Sequence, residues 1–319
     1  MKILLLGKRA SITRWLEACA SAWRADGHEV RVEAWRDPRI HPAVERVLLN
    51  ERLGAPLAAA IVRRTRRFAP ELIVAIGAYH FPATVLEPLA ALPGRPPMIG
   101  WVGDRFGAEA AGAAGLFDAM AYTDSALLAL HRRLGWRSGA LYLPHAVDPG
   151  AAGAGLVSAL RDQRMVFIAN PTVGRRRIVA ALASPISIHG PGWKPVPGVD
   201  HQIDRRRVRP GALLPLYRAH LAALNVRNEH NVLAGLNQRN FDPYLVETPV
   251  LSDAQGDLER CFDPGREVLV WRDVDELEAL YGGLRADPGR AAAVGAQGRR
   301  RVLADHTYAR RLQAIVNLV

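Results

Sequence analysis

The chain has 319 residues, of which 49% are hydrophobic and 23% are charged. This composition is that of an ordinary globular protein, so a disordered chain and a fibrous protein are excluded. The formal net charge is +11, but almost all basic residues are arginine and they are spread along the whole chain. No basic tail or basic domain stands out, so nucleic acid is a less favoured partner.

Cysteine usage and hydropathy predict the compartment. The two cysteines, Cys19 and Cys261, have no metal-ligand spacing, which argues against both a disulfide framework and a zinc site. The apolar run at Met1–Gly7 is too short for a signal peptide. No apolar run approaches the ~18 residues that span a membrane. We therefore expect a cytoplasmic protein without a bound metal.

Short apolar runs alternate with helix-like segments in the first half of the chain. Strands are predicted at Lys2–Leu6, His28–Trp35, Glu71–Gly77, Met98–Val102, Phe117–Tyr122 and Ala140–Leu143. Helical periodicity covers Ala10–Ala25, which ends at an Asp-Gly stop signal, and Pro42–Phe68. Alternation of strands and helices is the pattern of a parallel sheet covered on both faces.

The stretch Asp148–Gly155 is rich in Gly and Ala, as linkers are, and the alternation restarts after it. Strands are predicted at Arg164–Ala169, Pro185–His189, His220–Val226, Thr248–Ser252 and Glu267–Trp271, with helices at Gly174–Ala183, Asp275–Arg285, Gly289–Leu303 and Tyr308–Asn317. The fold class is therefore α/β, with two Rossmann-like doubly wound parallel-sheet domains that face a cleft. The predicted domains are 1–149 and 150–306, and a final helix at 307–319 is predicted to pack back towards the first domain.

An ordered series of motifs runs through the second half of the chain. It contains Leu224-Asn225-Val226, Asn237-Gln238-Arg239-Asn240-Phe241-Asp242, Thr248–Asp253, Phe262–Val268 and Ala304–Arg310. In order and spacing, the series resembles the donor domain of CgeB-like glycosyltransferases, which are relatives of the large retaining families with the GT-B fold. The resemblance covers about residues 164–318, and the first half is similar in architecture only.

This resemblance implies a GT-B-like enzyme that moves a sugar from a nucleotide-diphosphate sugar to an acceptor hydroxyl. Domain 150–306 would hold the donor, and domain 1–149 would hold a glycan, lipid or protein acceptor. The resemblance further implies retention of anomeric configuration and no metal or cofactor besides the donor. It assigns the donor ribose to Asp242, where the family usually has Glu. Two further departures are Ala234, in place of a second Glu, and Glu247, in place of Gly.

Several residues are candidates for donor binding. Asn237 and Arg239 lie near the start of a helix predicted over Asn237–Val246, and a helix N-terminus together with an arginine fork suits a diphosphate. Gly174 and Arg175 follow a strand and open a helix, where a phosphate could also bind. Gly190 and Gly192 would let the backbone approach a ligand closely. For each arginine the alternative is a solvated surface residue, and for the glycines it is a tight loop.

Two further residues are candidates for catalysis. His145 lies where the chain passes between the predicted domains, and Asp104 ends a strand of the first domain, where it could deprotonate an acceptor hydroxyl. A structural histidine and a turn-capping aspartate are the alternatives. His80, at the end of another strand, is a weaker candidate of the same kind.

Three other functions are weighed against glycosyl transfer. A non-catalytic relative would keep the fold and bind a sugar nucleotide or a partner, and a nucleic-acid-modifying glycosyltransferase would use the basic charge. A dinucleotide enzyme is disfavoured because no Gly-x-Gly-x-x-Gly follows a strand. The arginines of the stretch Leu57–Phe68 are typical of membrane-surface helices and equally of solvated ones, so peripheral membrane association is a further alternative.

Overall fold

The computed structural model describes residues 1–7, 13–34, 54–81, 83–106, 110–136, 138–152 and 161–318. The chain forms two compact units: Met1–Pro144 together with Tyr308–Val319, and His145–Thr307. Parts of the predicted helices Ala10–Ala25 and Pro42–Phe68, the strand end at Trp35 and residues 153–155 of the Gly-rich linker lie outside the described residues. Residues Pro149–Ala152 of that linker form a short 3₁₀ turn.

The first unit is built on a six-stranded parallel sheet with the order β2-β1-β3-β4-β5-β6. Its strands are β1 Lys2–Gly7, β2 Glu29–Ala34, β3 Leu72–Ile76, β4 Met98–Val102, β5 Ala119–Tyr122 and β6 Gly139–Tyr142. Its helices are α1 Thr13–Ala25, α2 Gly54–Phe68, α3 Ala83–Ala90, α4 Ala111–Ala114, α5 Ser125–Arg133 and, at the end of the chain, α11 Tyr308–Val316. Every residue of β3, β4 and β5 is buried, which explains why these strands are continuous apolar runs.

Helix α11 is part of the core of this first unit. The indole of Trp23, on α1, donates a hydrogen bond to the carbonyl of Tyr308 at 2.9 Å. The rings of Trp101 and Tyr308 lie edge to face, 6.3 Å apart, and Trp101 also meets Trp15 at 4.9 Å. The last helix therefore closes one face of the sheet formed by the beginning of the chain.

Helix α2 carries the arginine-rich stretch singled out in the sequence. Arg63, Arg66 and Arg67 are exposed, whereas Arg64 pairs with Glu33 at 2.8 Å. Among the described helices, none combines the length and the apolar character needed to cross a membrane. Association of this basic face with a membrane surface stays a prediction.

The second unit contains another six-stranded parallel sheet, with the order β12-β11-β10-β7-β8-β9. Its strands are β7 Asp162–Ile168, β8 Ser187–His189, β9 Gln202–Asp204, β10 His220–Asn225, β11 Val250–Asp253 and β12 Leu269–Trp271. Its helices are α6 Val173–Ala181, α7 Pro210–Arg218, α8 Leu258–Cys261, α9 Val274–Ala286 and α10 Pro288–Asp305. The strand order reverses between β7 and β10, so the topological switch point lies there.

The predicted fold class of two doubly wound parallel sheets is confirmed, and the differences are local. Strand β9 and helix α7 were not predicted. The helix predicted over Asn237–Val246 is wrong: the segment forms two short 3₁₀ turns, Gln238–Asn240 and Asp242–Val246. Pro243 is the physical reason, because proline lacks the N–H that an α-helix needs and disfavours helical geometry at the residue before it.

Helix α10 holds the second 3₁₀ turn in place through two glycines. A Cβ atom at Gly298 would lie 2.1 Å from the ring of Tyr244, and one at Gly295 would lie 2.1 Å from the carbonyl oxygen of Glu247. The helix can approach the turn this closely only without side chains at these positions.

Glu247 ends the same turn in the left-handed conformation, with φ 54°. This conformation costs a non-glycine residue roughly 1–2 kcal/mol, and the family that the chain resembles has glycine here. Glu247→Gly is therefore expected to raise the free energy of unfolding by about 0.5–1 kcal/mol, the strain relief being partly offset by the greater freedom of the unfolded chain. Urea denaturation of the wild type and the variant measures the difference.

Glu247→Ala is the matched control. It also removes the exposed contact with Arg299, at 3.9 Å, but keeps the Cβ atom. We expect no stabilisation from alanine, and equal effects of the two substitutions would show that the backbone angle is not the cause.

Candidate functional site

The switch point of the second sheet locates the candidate site. Strand β7 ends at Ile168 and β10 ends at Asn225, and in doubly wound sheets ligands bind beyond the carboxyl ends of the strands at this point. The register aligns Asn225 with Ser252 of β11 and Ile168 with His189 of β8. These strand ends and the loops after them form the edge described below.

Arg175 joins the loops that follow β7 and β10. Its Nε and Nη2 donate to the carbonyl of Val226 at 3.1 and 3.0 Å, and its Nη1 donates to the carbonyl of Asn170 at 3.0 Å. The residue is only 3% exposed, and burial lowers the pKa of its guanidinium to about 9. These contacts favour a structural role for Arg175, and its predicted contact with a phosphate stays a prediction.

The beginning of α6 is in contact with an internal carboxylate. The backbone N–H of Gly174 donates to Oε1 of Glu229 at 3.3 Å, and the hydroxyl of Thr172 donates to Oε2 at 3.2 Å. Thr172 also caps the helix, since its oxygen accepts from the N–H of Arg175 at 3.3 Å. A carboxylate thus lies at the helix end where the sequence predicts a phosphate.

A buried network of amides and a hydroxyl connects β10, β11 and the first 3₁₀ turn. The Nδ2 of Asn225 donates to Oδ1 of Asn240 and to Oγ of Ser252, both at 3.1 Å. Asn240 and Gln255 each donate to the same Oγ at 3.0 Å. The Oδ1 of Asn225 accepts from Nδ2 of Asn237 at 3.0 Å. Asn225 lies in one of the motifs quoted above, but no role was predicted for it.

Asn237 caps the first 3₁₀ turn and thereby sets the backbone of Arg239. Its Oδ1 accepts from the N–H of Arg239 at 2.9 Å, while its own N–H donates to Oδ1 of Asn240 at 3.2 Å. A turn of three residues has no appreciable macrodipole. The predicted reason for anion binding, a helix N-terminus, therefore does not hold at Asn237.

The guanidinium of Arg239 is anchored at one end and uncommitted at the other. Its Nε donates to Oδ1 of Asn225 at 3.2 Å. Within the described parts of the chain, neither Nη1 nor Nη2 of Arg239 forms a hydrogen bond or an ion pair. The side chain is partly buried, and burial lowers the pKa of its guanidinium. The negative charges of Asp253 and Asp242 act in the opposite direction. A partly desolvated cation with uncommitted donors is suited to bind an anion.

Gln238 connects the predicted ribose-binding residue with the segment that contains His145. Its Nε2 donates to Oδ1 of Asp242 at 2.8 Å and to the carbonyl of Ala146 at 2.7 Å. Asp242 is 3% exposed, whereas Gln238 and His145 are partly exposed. The backbone next to His145 therefore lies close to the segment that contains Asn237, Arg239 and Asp242. Gln238, which joins them, was not among the predicted site residues.

Gly190 and Gly192 are required by the protein's own backbone. Both have positive φ angles, of 144° and 87°, and a Cβ atom at Gly190 would lie 2.5 Å from the carbonyl oxygen of Ala169. Trp193 is buried, and its indole donates to the same carbonyl at 2.6 Å. The loop therefore packs against the end of β7, and a ligand contact of these glycines stays a prediction.

Asp104 belongs to the other unit and follows the carboxyl end of β4, where it is partly buried. Its role towards an acceptor stays a prediction, as does the catalytic role of His145. The side chain of His80 lies outside what the structure describes. Over the described ranges, no group of three or more His, Cys, Asp or Glu side chains could hold a metal ion.

Asp253, at the end of β11, is an ionisable group that sequence reasoning missed. Its carboxylate accepts from the N–H of Arg227 at 3.1 and 3.2 Å and from Nε2 of Gln255 at 2.9 Å. Burial raises its pKa to about 6 despite these donors and the nearby charges of Arg227 and Arg239. Its position at the end of a buried strand beside the switch point is the sequence signal that could have identified it.

Part of the chain matches a known protein family. Residues 174–317 match the protein family described as "Glycosyl transferase-like", a match that covers most of the second unit and α11. None of the curated proteins matches the chain significantly in sequence.

Solved structures of similar architecture cover nearly the whole chain. Sucrose-phosphate synthase from Thermosynechococcus elongatus aligns with a TM-score of 0.69 at 15% identity, over 99% of this chain and 98% of that one. HepE from Anabaena, in complex with UDP and glucose, aligns with a TM-score of 0.70 at 16% identity, over 99% and 98%. Its complex with UDP-glucose gives 0.68 at 16% identity over the same shares. The predicted GT-B fold is thereby confirmed.

The raised pKa of Asp253 predicts a pH-dependent contribution to stability. The folded pKa of about 6 exceeds the ordinary value of 3.8, so folding disfavours the ionised carboxylate. The wild type therefore loses stability as pH rises from below 3.8 through 6. Asp253→Asn has no such loss, so its stability relative to the wild type should increase by about 1 kcal/mol between pH 5 and pH 8.

Urea denaturation of both proteins at the two pH values measures this change. The variant also alters the contact with the N–H of Arg227, and that cost is the same at both pH values and cancels. A stability difference that does not change with pH would contradict the raised pKa.

Proposed function

We propose that the protein is a glycosyltransferase that moves a sugar from a nucleotide-diphosphate sugar to an acceptor hydroxyl, with the donor bound by residues 145–307. The GT-B fold and the "Glycosyl transferase-like" match over residues 174–317 support this proposal. HepE, which has a similar architecture, has been solved with UDP-glucose. The single observation that carries the proposal is the uncommitted guanidinium of Arg239 at the switch point of the second sheet.

The diphosphate of the donor would bind at Arg239. Its Nη1 and Nη2 present parallel N–H donors, a geometry that fits two phosphate oxygens. As the sugar departs, negative charge accumulates on the leaving diphosphate, and a fixed cation in a partly desolvated site stabilises that charge. Arg239 would thus contribute to both binding and catalysis.

For the ribose, the Gln238–Asp242 pair is the candidate. Asp242 is buried and one methylene shorter than the Glu usual in the family, so its own reach to a ligand is limited. Gln238 is partly exposed and is held by Asp242 at 2.8 Å. We infer that the ribose lies beside this pair, with Gln238 held in place by Asp242 and by the carbonyl of Ala146.

The finer features of the reaction rest on the resemblance to CgeB-like enzymes. These features are retention of configuration and independence of metal. Catalytic contacts by His145 and Asp104 are proposed from the positions of these residues in the chain. The anomeric configuration of the product, read by NMR, tests retention. A non-catalytic relative would bind the same nucleotide without turnover, so release of nucleoside diphosphate from a panel of sugar nucleotides separates the two functions.

Substitution of Arg239 tests the donor site. A thermal-shift screen with UDP, GDP, dTDP and CMP first selects the nucleotide that binds the wild type. Arg239→Ala should then weaken the binding of that nucleotide by roughly 10- to 100-fold, because a charge-assisted hydrogen bond contributes about 1.5–3 kcal/mol. Calorimetry measures the affinity, and Arg239→Lys, which keeps the charge but not the fork, should fall in between.

Arg300→Ala is the matched control, since Arg300 is exposed on α10 of the same unit. It removes the same charge from the chain without altering the strand ends, so the affinity should be unchanged. Unchanged binding by Arg239→Ala, or no binding of any nucleotide to the wild type, would refute the proposed donor site.

A further inference from the structure

Asn225 lies at the end of β10 and is completely buried. Its side-chain amide has two N–H donors and two acceptor positions on the oxygen. The donors are used by Asn240 and Ser252, both at 3.1 Å. The acceptor positions are used by Asn237 at 3.0 Å and by Nε of Arg239 at 3.2 Å. Every hydrogen-bonding position of this amide is therefore occupied.

This saturation determines which way the amide faces. If its oxygen and nitrogen were exchanged, the NH₂ group would point at the N–H donors of Arg239 and Asn237, and the oxygen would point at Oδ1 of Asn240. Both arrangements are repulsive, so Arg239, Asn237 and Asn240 fix the orientation of the amide, with its oxygen towards the guanidinium. The hydroxyl of Ser252 can donate or accept, so it does not decide this orientation. A buried amide whose four hydrogen-bonding positions are all occupied favours one orientation.

We propose that Asn225 is a positioning residue for the donor diphosphate: it fixes the guanidinium of Arg239 through Nε so that the end-on pair Nη1 and Nη2 faces the bound phosphates. This inference rests on the proposed function. Because Nε is engaged, the side-on pair of donors, Nε and Nη2, is not open to a ligand. The anchor also restricts a long side chain that otherwise loses rotamer entropy when the ligand immobilises it.

The other members of the network do not have this role. Ser252 accepts from Asn225, Asn240 and Gln255, but no hydrogen bond joins it to Arg239. Gln255 contacts Ser252 and Asp253. Among the described residues, Asn225 thus joins the buried network to the guanidinium of Arg239, whereas Asn237 contacts the backbone N–H of Arg239. Substitution of Ser252 is consequently a matched control for damage to the network itself.

A double-mutant cycle tests the proposal, with affinity for the nucleoside diphosphate selected by the wild type as the readout. Asn225→Ala should weaken binding by roughly tenfold, because Arg239 loses its anchor and must be ordered by the ligand. In the Arg239→Ala background the same substitution should change the affinity by less than twofold, measured by ligand-observed NMR at millimolar nucleotide. Ser252→Ala should lower the unfolding temperature but change the affinity by less than threefold.

The outcomes separate the positioning role from a structural one. Equal weakening by Asn225→Ala with and without Arg239 would show a general effect on the fold and overturn the proposal, as would unchanged affinity in the presence of Arg239. If Asn225→Ala does not fold, Asn225→Asp replaces it. A carboxylate there pairs with the guanidinium and draws its charge away from phosphate, so weaker binding that again depends on Arg239 supports the proposal, and unchanged binding overturns it.

The proposed function fails in a different way. If Arg239→Ala leaves the affinity of the wild type unchanged, the diphosphate site itself is wrong. If Arg239→Ala weakens binding and Asn225→Ala does not, only the positioning role is wrong.

Discussion

The candidate site depends on the buried guanidinium of Arg175. The strands β7 and β10 are neighbours in the second sheet, but nothing in a parallel ladder dictates how the loops beyond their ends are arranged. Arg175 spans the gap and donates to the carbonyls of Asn170 and Val226. Burying a cation opposes its charge, which is why its pKa falls to about 9, and the carbonyl oxygens offset this cost. Arg175 therefore bridges the two loops, as does Glu229, which accepts from Thr172 and Gly174.

A series of contacts leads from Arg175 to the group that can bind the ligand. The strands and Arg175 set the backbone at the switch point, and the amide of Asn225 is oriented by its buried neighbours at the end of β10. That amide anchors Arg239, whose uncommitted end is the group that can meet an anion. A pre-oriented cation gains affinity because the ligand need not order it on binding. The buried network thus explains how the partly buried guanidinium of Arg239 can be held in one geometry.

Much of the fold could be predicted from the sequence, because each core strand is a short apolar run separated from the next by helical periodicity. The edge strand β9, Gln202–Asp204, was missed because only three partly exposed residues form it. The segment from Asn237 to Val246 was predicted as a helix although Pro243 lies inside it. That helix was implied by the family resemblance, which did not take account of the missing N–H of the proline. The Asn237 cap and Pro243 give two short turns instead.

Arg175 and Arg239 show why the site was less predictable than the fold. Both are arginines that follow strands of the same sheet, and sequence offered the same two interpretations for each. What separates them is the number of carbonyl oxygens within reach of each guanidinium, which depends on backbone that is distant in the sequence. Arg175 donates to the carbonyls of Asn170 and Val226. Among the residues that the structure describes, the guanidinium of Arg239 donates to the amide of Asn225 alone. The positive charge of Arg239 also contributes to the lowered pKa of Arg175. An anion bound at Arg239 would reduce the repulsion between the guanidinium groups of Arg175 and Arg239. Arg175, which bridges the loops of the site, therefore also favours the binding of a negatively charged ligand.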